Sequence, residues 1–377
     1  MAEAHDALDK DQDEEQHHDT SASENENRSD SESSDDDDYE MYAGDVRSDK
    51  ITLETKDLHF KHLTNINNER SFSGGVQHVQ FHPKSKVALV ALRGGQIDLF
   101  EVDGERNRYL QNIKLPKSRG LFCSFDPVGD KIVIASENYK QTFYTYDMIS
   151  TKTQQYKLRD GRDLKDMTDF VIHKDFMACR KESSNDVYVL SSKTFEVSYT
   201  VRLNEPVRTV QFTNDNELFI AGEDSRVYIW DLRKTSICTH RFQDEGTVHT
   251  TSMSISLASN LISLGSDTGV VNSYELDTCR TARFPTPVKS FFNINKPINI
   301  TRYNHSGELL LFGSKDDYNA FRMVHAHSGI VYKNFPSQAK KYGHLQSVDF
   351  SPLSGYLMLG CSNGRAYLCR LPYFRNY

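Results

Sequence analysis

The chain has 377 residues, of which 37% are apolar, 11% aromatic and 26% charged, a balance typical of a globular protein. No stretch approaches the roughly 18 to 20 apolar residues that a membrane helix needs, and the first residues lack the basic and apolar regions of a secretory signal. The six cysteines have no paired spacing, so we expect reduced, mostly buried thiols in a protein that stays inside the cell.

The formal net charge of −8 is distributed unevenly along the chain. Residues 1–50 carry 19 acidic and 4 basic side chains and almost nothing that could be buried. Such a segment cannot offset the entropy of ordering, so we predict a disordered acidic tail, followed by a body with a net charge of +7. The tail could simply confer solubility, or it could be a phosphorylated docking segment. The candidate phosphorylation sites, each with an acidic residue three positions later, are Ser23, Ser29, Ser33 and Ser34.

From Gly74 onward the chain consists of short, alternating apolar runs bounded by Gly, Asn, Asp or Pro, which predicts an all-β body. Similar runs return about every 40 to 47 residues, the repeat length of a four-stranded propeller blade. We count seven blades, starting near residues 76, 120, 168, 207, 249, 298 and 345. The third, from Thr168 to Arg202, has the weakest pattern.

The seventh blade lacks a fourth strand, because little of the chain follows the third strand at Arg365 to Arg370. The segment from Asp57 to Leu63 alternates like a strand and can supply the missing one. Pairing the two ends of residues 51–377 in this way would close the ring and remove its exposed edges.

Trp230 and Asp231 form the dipeptide that names the WD40 family, at the end of a predicted third strand. Other repeats carry degraded versions, such as Tyr146 with Asp147 and Tyr274 with Glu275. Because Trp230 is the only tryptophan, a profile built on this dipeptide would find one blade. The body is therefore similar to a seven-bladed WD40 β-propeller.

The second half of the chain carries a more specific pattern. It comprises Phe242 to Gly246, His249, Gly265 to Asn272, Lys315, Asp316, Asp317, Ala320, Arg322, Val324, His325, Phe350, Ser351, Pro352 and Ser354 to Leu357. These residues resemble those of the U3 small nucleolar RNA-associated protein 18 family, and the resemblance covers roughly residues 55–372.

The resemblance implies a scaffold subunit of the small-subunit processome, which processes the nucleolar precursor of 18S ribosomal RNA. It further implies a nuclear and nucleolar location, with other WD40 propellers, the U3 ribonucleoprotein and pre-ribosomal RNA as partners. No membrane or small-molecule partner is implied. Some members carry an N-terminal aliphatic and aromatic peptide that recruits an exosome-associated helicase, and residues 1–50 contain no such run.

No pattern of residues predicts catalysis, a cofactor or a metal. His82, His173 and His305 occupy equivalent strand ends, which favours contacts within the repeated turns over a metal site. We therefore expect a protein that binds partners and is not an enzyme.

A rival hypothesis comes from Trp230, Asp231 and Arg233, which match the W-D-x-R box through which some WD40 proteins bind a ubiquitin-ligase adaptor. The chain would then be a substrate receptor of a cullin-type ligase. The alternative interpretation is that these are ordinary blade residues, since the tetrapeptide occurs in many propellers.

Basic loops before the second and third blades are the candidate contacts for RNA or a partner. They contain Lys114, Lys117, Arg119, Arg159, Arg162 and Lys165. Protein neighbours rank ahead of RNA as the main contact, because propellers present broad, rigid surfaces.

Overall fold

The computed structural model describes residue 53 and residues 56–70, 74–115, 121–136, 142–157, 167–181, 183–214, 216–234 and 237–377. In chain order the elements are β1 (Lys61–His62), β2 (Val76–Phe81), β3 (Val87–Leu92), β4 (Gln96–Glu101), β5 (Tyr109–Lys114), β6 (Leu121–Phe125), β7 (Lys131–Ser136), β8 (Thr142–Asp147), β9 (Thr153–Lys157), β10 (Met167–His173), β11 (Phe176–Lys181), β12 (Asp186–Ser191), β13 (Val197–Arg202), β14 (Val207–Asn214), β15 (Glu217–Gly222), β16 (Arg226–Asp231), β17 (Cys238–Gln243), β18 (Thr250–Ser256), β19 (Leu261–Ser266), β20 (Val271–Glu275), α1 (Leu276–Thr281), β21 (Lys289–Phe291), β22 (Ile300–Tyr303), β23 (Leu309–Gly313), β24 (Phe321–His325), β25 (Ile330–Val331), β26 (Leu345–Phe350), β27 (Tyr356–Cys361) and β28 (Ala366–Arg370).

The strands form seven antiparallel sheets of four strands each, and the sheets are the blades of a propeller. Blades one to six each use four strands that are consecutive in sequence, from β2–β5 to β22–β25. The seventh has the order β1-β28-β27-β26. The predicted all-β, seven-bladed fold is confirmed, and the third blade is complete despite its weak sequence pattern.

Apolar side chains hold the blades against one another. The strands second and third in each blade are covered on both faces, which explains continuous apolar runs such as Val87–Leu92. Between blades four and five, for example, Phe219 of β15 packs in one cluster with Ile262 and Leu264 of β19. Each blade is thus stabilised mainly by its neighbours, so the ring depends on every contact between blades.

The innermost strand of each blade has one edge without a strand partner, and neighbouring side chains satisfy several of its backbone N–H groups. Phe81 donates to Asp349 Oδ2 at 2.8 Å and Val79 donates to Ser347 Oγ at 3.2 Å, both from blade one to blade seven. Phe125 donates to Gln80 Oε1 at 2.9 Å, from blade two to blade one. Because a buried N–H without an acceptor is costly, these bonds connect adjacent blades at the centre of the ring.

The first described segment closes the ring as predicted. In β1, Lys61 pairs with Arg370 and His62 with Cys369 of β28. The pairing continues beyond β1, since Leu63 and Ile66 donate backbone hydrogen bonds of 3.0 and 2.9 Å to Leu368 and Ala366. Closure therefore extends to residue 66, a little further than the alternating segment that ends at Leu63 indicates.

Within the described ranges, one short helix interrupts the strands. The helix α1 has six residues and follows β20 in blade five, and two of its own residues, Leu276 and Cys279, are buried. Its length is too short to give a helical period in the sequence. In the part of the chain that the structure describes, no helix is long and apolar enough to cross a membrane.

Candidate interaction surfaces

Of the six predicted basic contact residues, the structure places only Lys114. It is the exposed last residue of β5, where it pairs with Gln96 of β4. Outside the described residues lie Lys117, Arg119, Arg159, Arg162 and Lys165, as do the candidate phosphorylation sites Ser23, Ser29, Ser33 and Ser34. These assignments stay predictions.

The predicted adaptor box lies at the end of β16, and its charged residues already bind each other. Asp231 Oδ1 accepts hydrogen bonds from the backbone N–H of Arg233 at 2.9 Å and from its Nε at 3.0 Å, while Asp231 Oδ2 accepts from Nη2 at 2.9 Å. The Arg233 guanidinium holds the pKa of the Asp231 carboxyl below its usual range. The pair stabilises the turn that follows β16. A partner that used the Arg233 guanidinium would first have to break its hydrogen bonds to Asp231.

Trp230 is buried, with 8% of its surface exposed. In the sheet it pairs with Leu218 of β15 and with Cys238 of β17, and neither of these side chains offers an oxygen acceptor. Its indole Nε1–H has no hydrogen-bond partner among the described residues. Blade four therefore contains a buried hydrogen-bond donor without an acceptor among the described residues, which is uncommon in a folded protein.

Trp230 lines a groove of about 490 Å³ at the outer side of blade four. Its walls come from the end of β13, from β16 and β17, and from the chain after α1. The lining residues are Arg202, Leu203, Asn204, Tyr228, Trp230, Ile237, Cys238, Thr239, His240, Arg241 and Arg283. We refer to this surface as the blade-four groove.

Backbone contacts hold the segment after α1 beside β17. The His240 Nε2 lies 3.0 Å from the carbonyl oxygen of Ala282, and the backbone N–H of Gln243 donates to the carbonyl of Arg283 at 3.0 Å. The position of Arg283 at the groove is therefore fixed by its backbone and not only by its side chain.

The lining of the blade-four groove contains basic residues and no acidic one. Arg202 is engaged by Asp186 at 2.9 Å. Arg241 and Arg283 are exposed and form no ion pair with a described residue, although the Arg283 guanidinium lies over the Phe284 ring at 5.6 Å. Among the described residues, Asp186 is thus the one carboxylate that pairs with a basic residue of the groove, and the groove has a net positive field.

Sequence reasoning missed this groove because its residues are far apart in the chain. Arg202 ends β13, Arg241 lies within β17 and Arg283 follows α1, and nothing in their spacing brings them together. The single Trp-Asp dipeptide marks the right blade, but it does not indicate which side of the blade is open.

The centre of the ring carries a structural group of polar residues. Arg302 Nη2 donates to Asp349 Oδ1 at 2.8 Å, and Ser347 Oγ lies 3.3 Å from His78 Nδ1. Burial, together with the positive charges of Arg302 and Lys315, lowers the pKa of His78 to about 4. The imidazole is therefore neutral near pH 7, where a general acid or base would need to change its protonation.

The thiols and potential metal ligands of the described residues form no further site. Cys238 is partly exposed and the other five cysteines are buried, as expected. Burial raises the pKa of Cys279, Cys361 and Cys369 to about 12, so these thiols stay protonated at neutral pH. Within the described ranges, no cluster of His, Cys, Asp and Glu could hold a metal ion. His82 instead makes a turn contact, since its Nδ1 accepts from the backbone N–H of Ser85 at 2.8 Å.

Comparison with known proteins matches both the fold and one particular group of proteins. The family model for the WD domain, G-beta repeat, matches residues 195–231, which end at the Trp-Asp dipeptide. The chain is 31% identical over 340 residues to the U3 small nucleolar RNA-associated protein 18 homolog of Drosophila melanogaster, covering 88% of this chain and 65% of that protein. It is 30% identical to the Homo sapiens homolog, covering 89% of this chain and 60% of that protein.

A third relative, the homolog of the same name in Caenorhabditis elegans, is 29% identical over 346 residues, with 89% of this chain and 78% of that protein covered. The chain thus spans less than two thirds of the length of the fly and human proteins, and more than three quarters of the length of the nematode protein. The similarity therefore extends over most of the propeller and is not limited to one repeat.

Proposed function

Because the chain belongs, through its propeller, to the U3 small nucleolar RNA-associated protein 18 family, we propose that it is a non-catalytic scaffold subunit of the small-subunit processome. In this role it is required for the nucleolar processing of pre-18S ribosomal RNA and for assembly of the small ribosomal subunit. The supporting observation is the similarity over 88% of the chain to proteins that are named for U3 RNA.

The architecture suits a scaffold. A closed ring of seven blades offers a rigid outer rim and two loop faces, and such surfaces bind several neighbours at once. The partners in this proposal are other WD40 propeller subunits, the U3 ribonucleoprotein and pre-ribosomal RNA, in the nucleus and nucleolus. Lys114 and the basic loops that follow it are the proposed contacts for RNA phosphates.

The ligase-receptor hypothesis has less support. The relatives are named for U3 RNA and not for a ligase. In addition, Asp231 and Arg233 bind each other, as ordinary blade residues do. We therefore retain only the assembly role as a proposal.

Depletion of the protein from its own cells tests this function. We expect mature small-subunit ribosomal RNA to fall and its precursors to accumulate, while large-subunit RNA from the same transcript changes less. Northern blots of both RNAs measure the effect, and re-expression of the full chain is the control that should restore the ratio. An unchanged ratio after complete depletion would contradict the proposal.

A further inference from the structure

The blade-four groove combines exposed positive charge with apolar surface. Arg241 and Arg283 supply guanidinium groups that no described carboxylate engages. Ile237 stands at the same groove with 73% of its surface exposed, and Phe284, next to Arg283 in sequence, is 68% exposed. A large apolar side chain left in water beside a basic groove is a typical feature of an interaction site.

The chemistry of the groove favours an acidic peptide. Arginine binds carboxylates through paired, charge-assisted hydrogen bonds, and aliphatic side chains of a peptide could cover Ile237. The opening lies between side chains of β13, β16 and β17, so an extended segment can lie along it. The volume of about 490 Å³ accommodates a few side chains but not a folded domain.

Single-stranded RNA fits the groove less well. Sequence-tolerant RNA binding uses exposed aromatic rings on which bases stack. Here the aromatic residues of the groove, Tyr228 and Trp230, are only 5% and 8% exposed because they pack against blade three. Their faces are therefore not available for stacking. The exposed Phe284 ring beside the groove is the remaining candidate, and the Arg283 guanidinium already lies over it at 5.6 Å.

We propose that the blade-four groove binds an acidic segment of a partner protein, in which aspartate or glutamate side chains engage Arg241 and Arg283 and an aliphatic residue covers Ile237. This inference rests on the groove alone and does not depend on the role in ribosome assembly.

Trp230 provides a built-in reporter, since it lines the groove and is the only tryptophan of the chain. The full-length protein is titrated with a short peptide made of aspartate, glutamate and leucine, and the emission of Trp230 is followed. We expect a saturable change. A matched peptide with asparagine and glutamine in place of the acids should bind at least about tenfold more weakly. Raised salt should weaken binding of the acidic peptide because the arginines are exposed.

Charge-reversal variants locate the site. Arg241→Glu and Arg283→Glu should each lower the affinity for the acidic peptide by about tenfold or more. Arg365→Glu, an equal charge change in the β27–β28 turn of blade seven, should have little effect on this affinity. Circular dichroism verifies that each variant is folded, which is expected because all three side chains are exposed.

Three outcomes overturn the inference. The first is the absence of any emission change with the acidic peptide. The second is equal binding of the neutral peptide. The third is competition of a uridine oligonucleotide for the groove with higher affinity than the peptide, which would identify it as a site for RNA phosphates.

Discussion

Deletion of residues 1–65 is expected to prevent formation of a stable propeller, whereas deletion of residues 1–50 should leave its thermal stability unchanged. The strand β1 and the residues around it complete the seventh blade, so their loss exposes the edge of β28 from Leu368 to Arg370. It also removes Leu58, which is 3% exposed and packs in the cluster around Tyr342 and Leu359. Loss of one such leucine typically costs about 2–5 kcal/mol, and the deletion removes backbone pairing in addition.

The combined cost of losing Leu58 and the backbone pairing approaches the whole free energy of unfolding of a typical domain, about 5–15 kcal/mol. Thermal unfolding followed by circular dichroism compares the two deletions. Leu58→Ala in the full chain is a milder control, which should lower the melting temperature without abolishing the fold. Equal melting temperatures for the two deletions would show that closure by the N-terminal strand does not stabilise the ring.

The second large effect is expected for Asp349→Ala. The carboxylate is buried at the centre of the ring, where it accepts from Arg302 of blade six and from the backbone N–H of Phe81 of blade one. Its removal leaves a buried N–H without an acceptor and a guanidinium without its partner. We expect a loss of about 2–4 kcal/mol in the free energy of unfolding.

Chemical denaturation of the two proteins measures this loss. Asp349→Asn should be milder, because the amide oxygen can still accept from Phe81. A matched control is Asp231→Ala, which removes an aspartate that also binds an arginine but lies at the outer end of β16, beside a surface turn. It should leave stability nearly unchanged, since exposed ion pairs contribute little. A comparable loss for both alanine variants would contradict a special role of the central contact.

The sequence predicts the ring well because the repeat is encoded in every blade. The innermost strands begin at Val76, Leu121, Met167, Val207, Thr250, Ile300 and Leu345, each within about two residues of the predicted position. The turns between them contain residues with strong local preferences. The family model, in contrast, matches one repeat, the one that ends at the Trp-Asp dipeptide.

Contacts between blades are not predictable from local patterns. Asp349 and Phe81 are 268 positions apart, and only closure of the ring brings them together. The same holds for the blade-four groove, where Arg202 and Arg283 come from different blades. Strand spacing indicates that neighbouring blades pack, but not which side chains meet at their outer edges.

Affinity purification of the tagged full-length chain from its own cells, with recovered RNAs and proteins identified, tests the central proposal most directly. We predict enrichment of U3 RNA and of pre-ribosomal RNA over unrelated small nucleolar RNAs, together with other WD40 propeller proteins. Recovery of a cullin adaptor without these RNAs would contradict the proposed role in the small-subunit processome and would leave the seven-bladed fold intact.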